Sequence, residues 1–257
     1  MKIATWNVNS LKVRLPQVME WLHKEQPDVL ALQEIKMLDE FVPVAELNAL
    51  GYQVIASGQR TYNGVAILSK QPAVSVIKDL PGLDDPQRRV LAATVGNLRV
   101  INLYIPNGQS LASEKYQYKM TWLEKLLFFL KMELQNHEKL VVVGDFNIAP
   151  AEIDVHDPKV WADSVLFSPA ERATFAAMLD LGLVDCYRST HPEAQEYSWW
   201  DYRLYAFKRN LGLRIDHILA SNDLVKLCKD CQIDKTPRSW ERPSDHAPVW
   251  AKFSLEN

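Results

Sequence analysis

Short apolar runs alternate with amphipathic stretches along the whole chain. Eight of the runs have the length of a strand, and several are rich in β-branched residues and almost wholly apolar, which is typical of strands buried on both faces. The predicted strands cover residues 2–8, 28–33, 64–69, 90–95, 98–105, 139–146, 215–220 and 249–253.

Helical periodicity appears in the stretches between these runs. Near the N-terminus, one face of a predicted helix carries Leu15, Val18, Met19 and Leu22. Residues 113–135 repeat apolar positions at the same spacing of three to four. A further helix is predicted to begin at Ser168, with Pro169 in its first turn and Glu171 completing a capping box, and to end at Gly182.

Strands that alternate with helices favour a layered α/β fold in which helices cover the sheets. No Gly/Ser linker, low-complexity tract or sequence repeat divides the chain, so residues 1–257 are predicted to form a single catalytic domain. No G-x-G-x-x-G or Walker-type loop is present, so the sequence gives no support for nucleotide-cofactor chemistry.

The composition narrows the class of protein further. Hydrophobic residues make up 47% of the 257 residues, enough for a core without disulfides, and the apolar stretches fall short of the roughly 20 residues that span a bilayer. The N-terminus lacks the pattern of a signal peptide, and three cysteines do not make a disulfide framework. A cytoplasmic location and no membrane partner are therefore expected. The pair Cys228 and Cys231 has no second Cys/His pair to complete a zinc site.

The formal net charge is −3 and the pI about 6.1, which excludes a protein that coats nucleic acid by its overall charge. A polyanionic substrate would have to be bound locally. Basic loops at 88–89, 115–119 and 208–209 are the candidates for that contact.

Polar side chains that could bind a metal ion or take part in catalysis lie just past the predicted strands or in loops. These are Asn7, Glu34, Tyr104, Asn107, Asp145, Asn147, Asp216, Asp245 and His246. Any one acid alone is typical of a cap or turn. As a set they include the carboxylates that Mg²⁺ prefers and the groups needed to hydrolyse a phosphodiester.

The segments around these residues resemble those of the exonuclease III and AP endonuclease family, within the wider endonuclease/exonuclease/phosphatase fold. The matching segments are 2–9, 27–36, 63–66, 104–108, 144–149, 212–217 and 244–248. The resemblance runs nearly end to end and implies a four-layer α/β sandwich of the DNase I-like type, with two central mixed sheets packed face to face and helices outside. It also implies a monomeric, Mg²⁺-dependent DNA repair phosphodiesterase, in which Mn²⁺ can substitute. The implied substrate is double-stranded DNA with 3′ ends or abasic sites.

The same resemblance implies a role for each site residue. The residues that hold or surround the metal are Asn7, Glu34, Asp145, Asn147, Asp245 and His246. Asp145 matches the residue that activates the attacking water, and Asn147 the one that positions it. His246, oriented by Asp216, would contact the scissile phosphate. Tyr104 would hydrogen-bond the phosphate or assist the leaving oxygen.

Substrate binding is assigned to Asn107, Leu166, Trp199, Leu213 and Arg214. Trp199 and Leu213 match the walls of the small apolar pocket that holds a flipped abasic sugar in relatives. The bulk of Leu166 is expected to narrow the passage of a continuous strand, which favours 3′ ends over internal sites.

Two other function classes fit parts of this pattern. A phosphoesterase for small molecules or lipid headgroups on the same fold would share the metal and acid residues, but 104–108 and 210–216 resemble the nuclease branch. A non-catalytic DNA-binding module would be expected to have lost a metal or acid-base position and to carry more positive charge, and this sequence does neither.

Overall fold

The computed structural model describes residues 1–255, in which strands are gathered into two six-stranded mixed sheets. The strands are β1 (Lys2–Asn7), β2 (Val29–Gln33), β3 (Gln53–Ser57), β4 (Val65–Ser69), β5 (Ala73–Lys78), β6 (Val90–Val95), β7 (Leu98–Tyr104), β8 (Leu140–Asp145), β9 (Leu183–Asp185), β10 (Asp216–Ser221), β11 (Cys228–Ile233) and β12 (Val249–Phe253). The helices are α1 (Leu11–Glu25), α2 (Val44–Ala49), α3 (Glu114–Asn136), α4 (Pro158–Trp161), α5 (Pro169–Asp180), α6 (Cys186–Thr190) and α7 (Asn222–Val225).

One sheet has the order β11-β12-β1-β2-β4-β3 and the other β5-β6-β7-β8-β10-β9. The two central pairs, β1 with β2 and β7 with β8, are parallel, and the remaining pairs are antiparallel. The carboxyl ends of a parallel pair lie at the same edge of a sheet, so residues that follow these four strands can share a site.

The core is built in layers. Side chains from both sheets, including Val29 and Ile67 of one and Val141 and Ile218 of the other, form a single buried cluster between them. A second cluster joins the outer face of the first sheet to α1, and a third joins the outer face of the second sheet to α3 and α5. Because the second face of each sheet is buried by helices, the predicted four-layer sandwich is confirmed.

A polar bridge crosses the apolar layer between the sheets near the ends of β2 and β7. The buried Gln33 Nε2 donates to Asn102 Oδ1 at 2.7 Å, and Asn102 Nδ2 donates to the backbone oxygens of Leu32 at 3.0 Å and Ala66 at 2.9 Å. Buried amide donors are costly without acceptors, so these hydrogen bonds favour one placement of the sheets on each other, although Gln33 Oε1 has no partner within residues 1–255.

All eight predicted strands are confirmed, as are the helices corresponding to α1, α3 and α5. Ser168 caps α5 as expected: its Oγ accepts from the Glu171 N–H, and its N–H donates to the Glu171 carboxylate at 2.9 Å. Strands β3, β5, β9 and β11 and the short helices α2, α4, α6 and α7 were not predicted. None of the helices within residues 1–255 has the length and apolar character needed to cross a bilayer.

Candidate active site

The predicted polar residues meet at one rim of the sandwich. Asn7, Tyr104 and Asp145 are the last residues of β1, β7 and β8, and Glu34 directly follows β2. The register of β8 aligns Asp145 with Tyr104 on one side and with Asp216, the first residue of β10, on the other. Strand order and register therefore bring together residues that are far apart in sequence.

The backbone at this rim adopts conformations that most residues avoid. Glu34 has φ 51° and Asn147 has φ 49°, both in the left-handed region. Gly144, just before Asp145, has φ 143°, and a Cβ atom there would lie 1.9 Å from the backbone oxygen of Leu103. Strained positions persist where the surrounding structure fixes them, and they are common at functional sites.

Three donors fix the Glu34 carboxylate. Asn7 Nδ2 donates to Glu34 Oε1 and to Asp145 Oδ2, each at 2.9 Å, and so bridges the two acids. The Tyr104 hydroxyl donates to Glu34 Oε1 at 2.9 Å, and Lys36 Nζ lies 2.8 Å from Oε2. Burial, followed by the charge of Glu34, raises the pKa of Tyr104 well above its usual value, so its phenol remains a proton donor.

A buried ion pair adjoins these acids. His246 Nδ1 donates to Asp216 Oδ2 at 2.9 Å, while His246 Nε2 lies 3.7 Å from Asp145 Oδ2. Ser198 holds Asp216 in place by donating to its Oδ2 at 2.6 Å. Burial disfavours the charged imidazole, but the Asp216 and Asp145 carboxylates outweigh it and raise the pKa of His246 to about 10. The ring is therefore an imidazolium near neutral pH.

Asp145 lies between the two groups of residues. Burial raises its pKa to about 7, although the charge of His246 opposes the rise. Asn147 shares the same turn: its N–H donates to Asp145 Oδ1 at 2.9 Å, and its Nδ2 contacts Asp145 Oδ2 at 3.3 Å. A carboxylate held by directed donors, with its pKa close to neutrality, has the properties of a general base.

One ligand atom each from Glu34, Asp145 and His246 lie within 4.8 Å of one another, a spacing that could hold a metal ion. Asp245 stands beside this group, and its two oxygens accept from Asn9 Nδ2 at 3.0 Å and from Trp199 Nε1 at 2.9 Å. Burial opposes the charge of Asp245, but His246 and these hydrogen bonds lower its pKa. Fixed carboxylate oxygens fit a hard divalent cation that retains water ligands.

The acids open onto a cleft of about 320 Å³. Its other walls are apolar side chains together with the charged pair Asp201 and Arg203; the apolar ones are Trp161, Val165, Leu166, Trp199 and Ile215. Leu166 is only 4% exposed, with φ 78°, and it packs with Trp199 and Ile215 in one cluster. The exposed Asn107 lies at the cleft and donates from Nδ2 to Asn147 Oδ1 at 3.2 Å. The space beside the acids is thus small and bordered on one side by large apolar side chains.

Comparison with known proteins agrees with this geometry. The sequence pattern of the Endonuclease/Exonuclease/phosphatase family matches residues 4–246. The chain belongs to this family. It is 39% identical to the exodeoxyribonuclease III of Haemophilus influenzae over 98% of this chain and 100% of the relative. The expected resemblance to exonuclease III is confirmed.

Two solved structures share the whole fold. A 3′ phosphatase from Neisseria bound to a product DNA hairpin is 51% identical, with a TM-score of 0.98, over 99% of this chain and 100% of that one. An AP endonuclease from Archaeoglobus fulgidus is 41% identical, with a TM-score of 0.97, over the same shares. The fold therefore extends over nearly the full length of these proteins.

Two of the predicted substrate contacts do not line the cleft. Arg214 is 1% exposed, and its guanidinium points away from the cleft to bind Asp154 Oδ1 at 2.7 Å and Asp185 Oδ2 at 2.8 Å. Leu213 is wholly buried behind Trp199, with which it shares backbone hydrogen bonds. Alternation along the extended segment places Leu213 and Ile215 on one side, in a single apolar cluster with Leu166 and Trp199, and turns Arg214 to the other side. Of the three, only Ile215 lines the cleft.

The sequence did not reveal other contributors to this family's site. Ser198, which orients Asp216, has no pattern that marks it. Lys119 does have one, because it falls on the buried stripe of α3 in register with Leu123 and Leu126. Its Nζ donates to the backbone oxygens of Asn147 at 2.7 Å and Asn107 at 3.2 Å, and so ties two loops of the cleft together.

Proposed function

We propose that this protein is a divalent-metal-dependent DNA repair phosphodiesterase of the exonuclease III type, which removes nucleotides and blocking groups from 3′ ends. Residues 1–257 are proposed to form one catalytic domain. The main support is the buried His246–Asp216 ion pair, which faces Asp145 and Glu34 at the floor of a narrow cleft. This arrangement places a base, a cation and a metal-binding acid around one space that a phosphate group can enter.

Asp145 is proposed as the base that takes a proton from the attacking water, since its pKa of about 7 suits that task. Asn147 would orient the water from the adjacent turn. The His246 imidazolium would stabilise the negative charge that develops on the phosphate, and Asp216 keeps it protonated. Tyr104 would donate to a phosphate oxygen or to the leaving oxygen.

Glu34, with Asn7 beside it, is proposed to hold Mg²⁺, for which Mn²⁺ can substitute. A divalent ion bound there would polarise the phosphate and offset its charge. Asp145, Asn147 and Asp245 would complete the surroundings of the ion. Of the two roles open to His246, contact with the phosphate is favoured over metal binding, because a protonated imidazole has no free lone pair.

The preference for 3′ ends is supported by the unequal sides of the site. On one side lies the small cleft, with Leu166 in its wall. On the other lies an open groove of about 840 Å³ that carries Tyr62, Arg89 and Lys115 and shares Tyr104 with the site. We assign the retained strand of a DNA duplex to the open groove, where basic and aromatic groups can contact its phosphates and bases.

Internal abasic sites are proposed as a second, weaker substrate. We further propose that the enzyme acts as a monomer in the cytoplasm, a location consistent with three cysteines that are all free thiols.

Two labelled duplexes test this function directly, one with a recessed 3′-phosphate and the other with an internal abasic-site analogue. Each is incubated with Mg²⁺, with Mn²⁺ and with chelator, and Asp145→Asn serves as the inactive control. We expect metal-dependent release of phosphate from the first duplex and slower nicking of the second. Failure of the wild-type enzyme to act on either DNA would refute the proposal and favour a small-molecule phosphoesterase.

Leu166→Gly tests whether this side chain sets the preference for ends. Glycine suits the positive φ at this position, so the backbone is not strained by the change. We expect the rate at the internal abasic site to rise relative to the rate at the 3′-phosphate. An unchanged ratio would show that Leu166 does not control the choice.

A further inference from the structure

A second cavity, of about 510 Å³, adjoins the catalytic cleft. The two share Trp161, Trp199, Asp201 and Arg203 as a common wall. Beyond that wall the second cavity, here called the outer cavity, is lined by His156, Leu204, Ala206 and Leu211. None of the groups assigned to catalysis faces the outer cavity, so the hydrolysis of the phosphate alone does not account for it.

The wall of the outer cavity presents aromatic rings held in fixed orientations. Trp199 is anchored by the hydrogen bond from its Nε1 to Asp245 Oδ2 at 2.9 Å. Trp161 packs edge-on against His156, with ring centroids 6.2 Å apart and an interplanar angle of 86°. Rings fixed in this way lose little conformational freedom when a flat ligand stacks on them.

Two features point to a ligand with both apolar and polar character. The Trp161 Nε1 atom is buried, and no atom of residues 1–255 accepts its hydrogen bond. Leu204, at the other side of the cavity, is 76% exposed on a backbone with φ 59°, which is costly for a leucine. A nucleobase offers a flat face for stacking and ring acceptors for an N–H donor.

We propose that the outer cavity is a nucleobase subsite, which receives the base of the 3′-terminal nucleotide while the phosphate of that nucleotide lies in the cleft. The proposal rests on the proposed function. In the reaction, an oxygen of water bonds to phosphorus and the bond from phosphorus to the O3′ of the retained strand breaks. The proton passes through Asp145, O3′ leaves as a hydroxyl, and the released nucleotide keeps its 5′-phosphate.

The subsite separates two substrates that share the same phosphate chemistry. A terminal nucleotide carries a base that reaches the outer cavity, whereas a 3′-phosphate carries none. Stacking on aromatic side chains is tolerant of base identity, so the subsite would favour nucleotide removal without strong sequence preference.

The test compares kcat/KM for two duplexes that differ only in their recessed 3′ end, one with an ordinary nucleotide and the other with a phosphate. In Trp161→Ala, we expect the ratio of nucleotide removal to phosphate removal to fall about tenfold, as the loss of one stacking contact predicts. Leu204→Ser should lower the same ratio, and since Leu204 is exposed, this variant decides the matter if Trp161→Ala does not fold. Tyr205→Ser is the matched control, because Tyr205 is 75% exposed on the same loop and lines neither cavity.

Competition by small molecules gives a second, independent measurement. Deoxyadenosine 5′-monophosphate should inhibit the wild-type enzyme at a lower concentration than inorganic phosphate, and Leu204→Ser should reduce that advantage. A ratio within twofold of wild type in each folded variant would overturn the subsite. Absence of wild-type activity on both DNA ends would instead refute the proposed function itself.

Discussion

Replacing Lys119 by methionine should destabilise the protein more than any change to a surface lysine. Its side chain is fully buried, and Nζ contacts Glu171 Oε1 at 2.5 Å as well as the backbone oxygens of Asn147 and Asn107. Burial lowers the pKa of Lys119, although the charge of Glu171 opposes this effect. Methionine fills a similar volume but removes the charge and every donor.

The size of the expected stability loss follows from the hydrogen bonds that Glu171 keeps when Lys119 is replaced. Glu171 is also fully buried and would keep only the donors of Leu166 and Ser168. Removing one partner of a buried ion pair costs about 3–5 kcal/mol. In a protein of this size, about 2–4 °C of melting temperature is lost per kcal/mol, so a decrease of roughly 6–20 °C is expected. The double variant Lys119→Met/Glu171→Gln should lose less than the two single variants combined, because no charge is left unpaired.

Urea unfolding followed by tryptophan fluorescence measures this free energy in all three variants. Lys226→Met is the matched control, because Lys226 pairs with Asp223 on the surface and both side chains are more than half exposed. The control should differ little from wild type. A loss below about 1 kcal/mol in Lys119→Met would refute the reasoning, since it would mean that Glu171 is stable without its partner.

Three further changes test separate parts of the structure. Burial, followed by the charge of Arg214, lowers the pKa of His217 to about 4, so between pH 6.5 and 4 only the unfolded chain gains a proton there. Urea midpoints should therefore show about 3 kcal/mol of wild-type stability lost over that range, and His217→Gln should lose correspondingly less. Trp199→Phe removes the hydrogen bond to Asp245 and should raise the Mg²⁺ concentration for half-maximal activity about tenfold. An unchanged Mg²⁺ concentration for half-maximal activity would contradict a role of Trp199 in positioning Asp245. Gly144→Ala should lower the free energy of unfolding by about 3 kcal/mol or more, since its Cβ would clash with the backbone. Gly82→Ala, where a Cβ has nothing within 4 Å, should lower it by about 1 kcal/mol. Equal melting temperatures of the two variants would contradict the clash.

The strands that the sequence did not predict share one property: they are the edges of the sheets. β3 and β11 flank one sheet, and β5 and β9 flank the other. An edge strand has a neighbour on one side only, and β5 is exposed along most of its length. Its sequence therefore needs no continuous apolar run. Seven of the eight inner strands are buried at nearly every position and carry that run, which explains why their positions were predicted. The eighth, β12, alternates between buried and more exposed residues, which is the other pattern of a strand.

The candidate site divides in a similar way. Residues at the ends of inner strands, such as Asn7, Glu34 and Asp145, were predicted because the strand that carries each of them was recognisable and because the motifs resemble a known family. Ser198 could not be predicted as part of the site, and the helical pattern marks Lys119 as buried on α3 without showing what it contacts. They act by holding Asp216 and the loop of Asn147, and such contacts depend on tertiary distances that neither periodicity nor composition contains.

The buried position of Arg214 shows which charges of this enzyme are available to a substrate. A basic residue in a chain that acts on DNA suggests a phosphate contact, yet Arg214 and Lys119 are buried and neutralised by Asp154, Asp185 and Glu171. These charges fix loops behind the cleft and are not available to the substrate. The basic residues that can meet DNA are the exposed ones at the open groove and the cleft, among them Lys115 and Arg203, which lie on opposite sides of the acids. Of these two, Arg203 is paired with Asp201. The net charge of −3 is therefore a poor guide to DNA binding, because attraction of a polyanion depends on the charges that remain uncompensated near the site. The salt dependence of DNA cleavage should change in Lys115→Met but not in Lys226→Met.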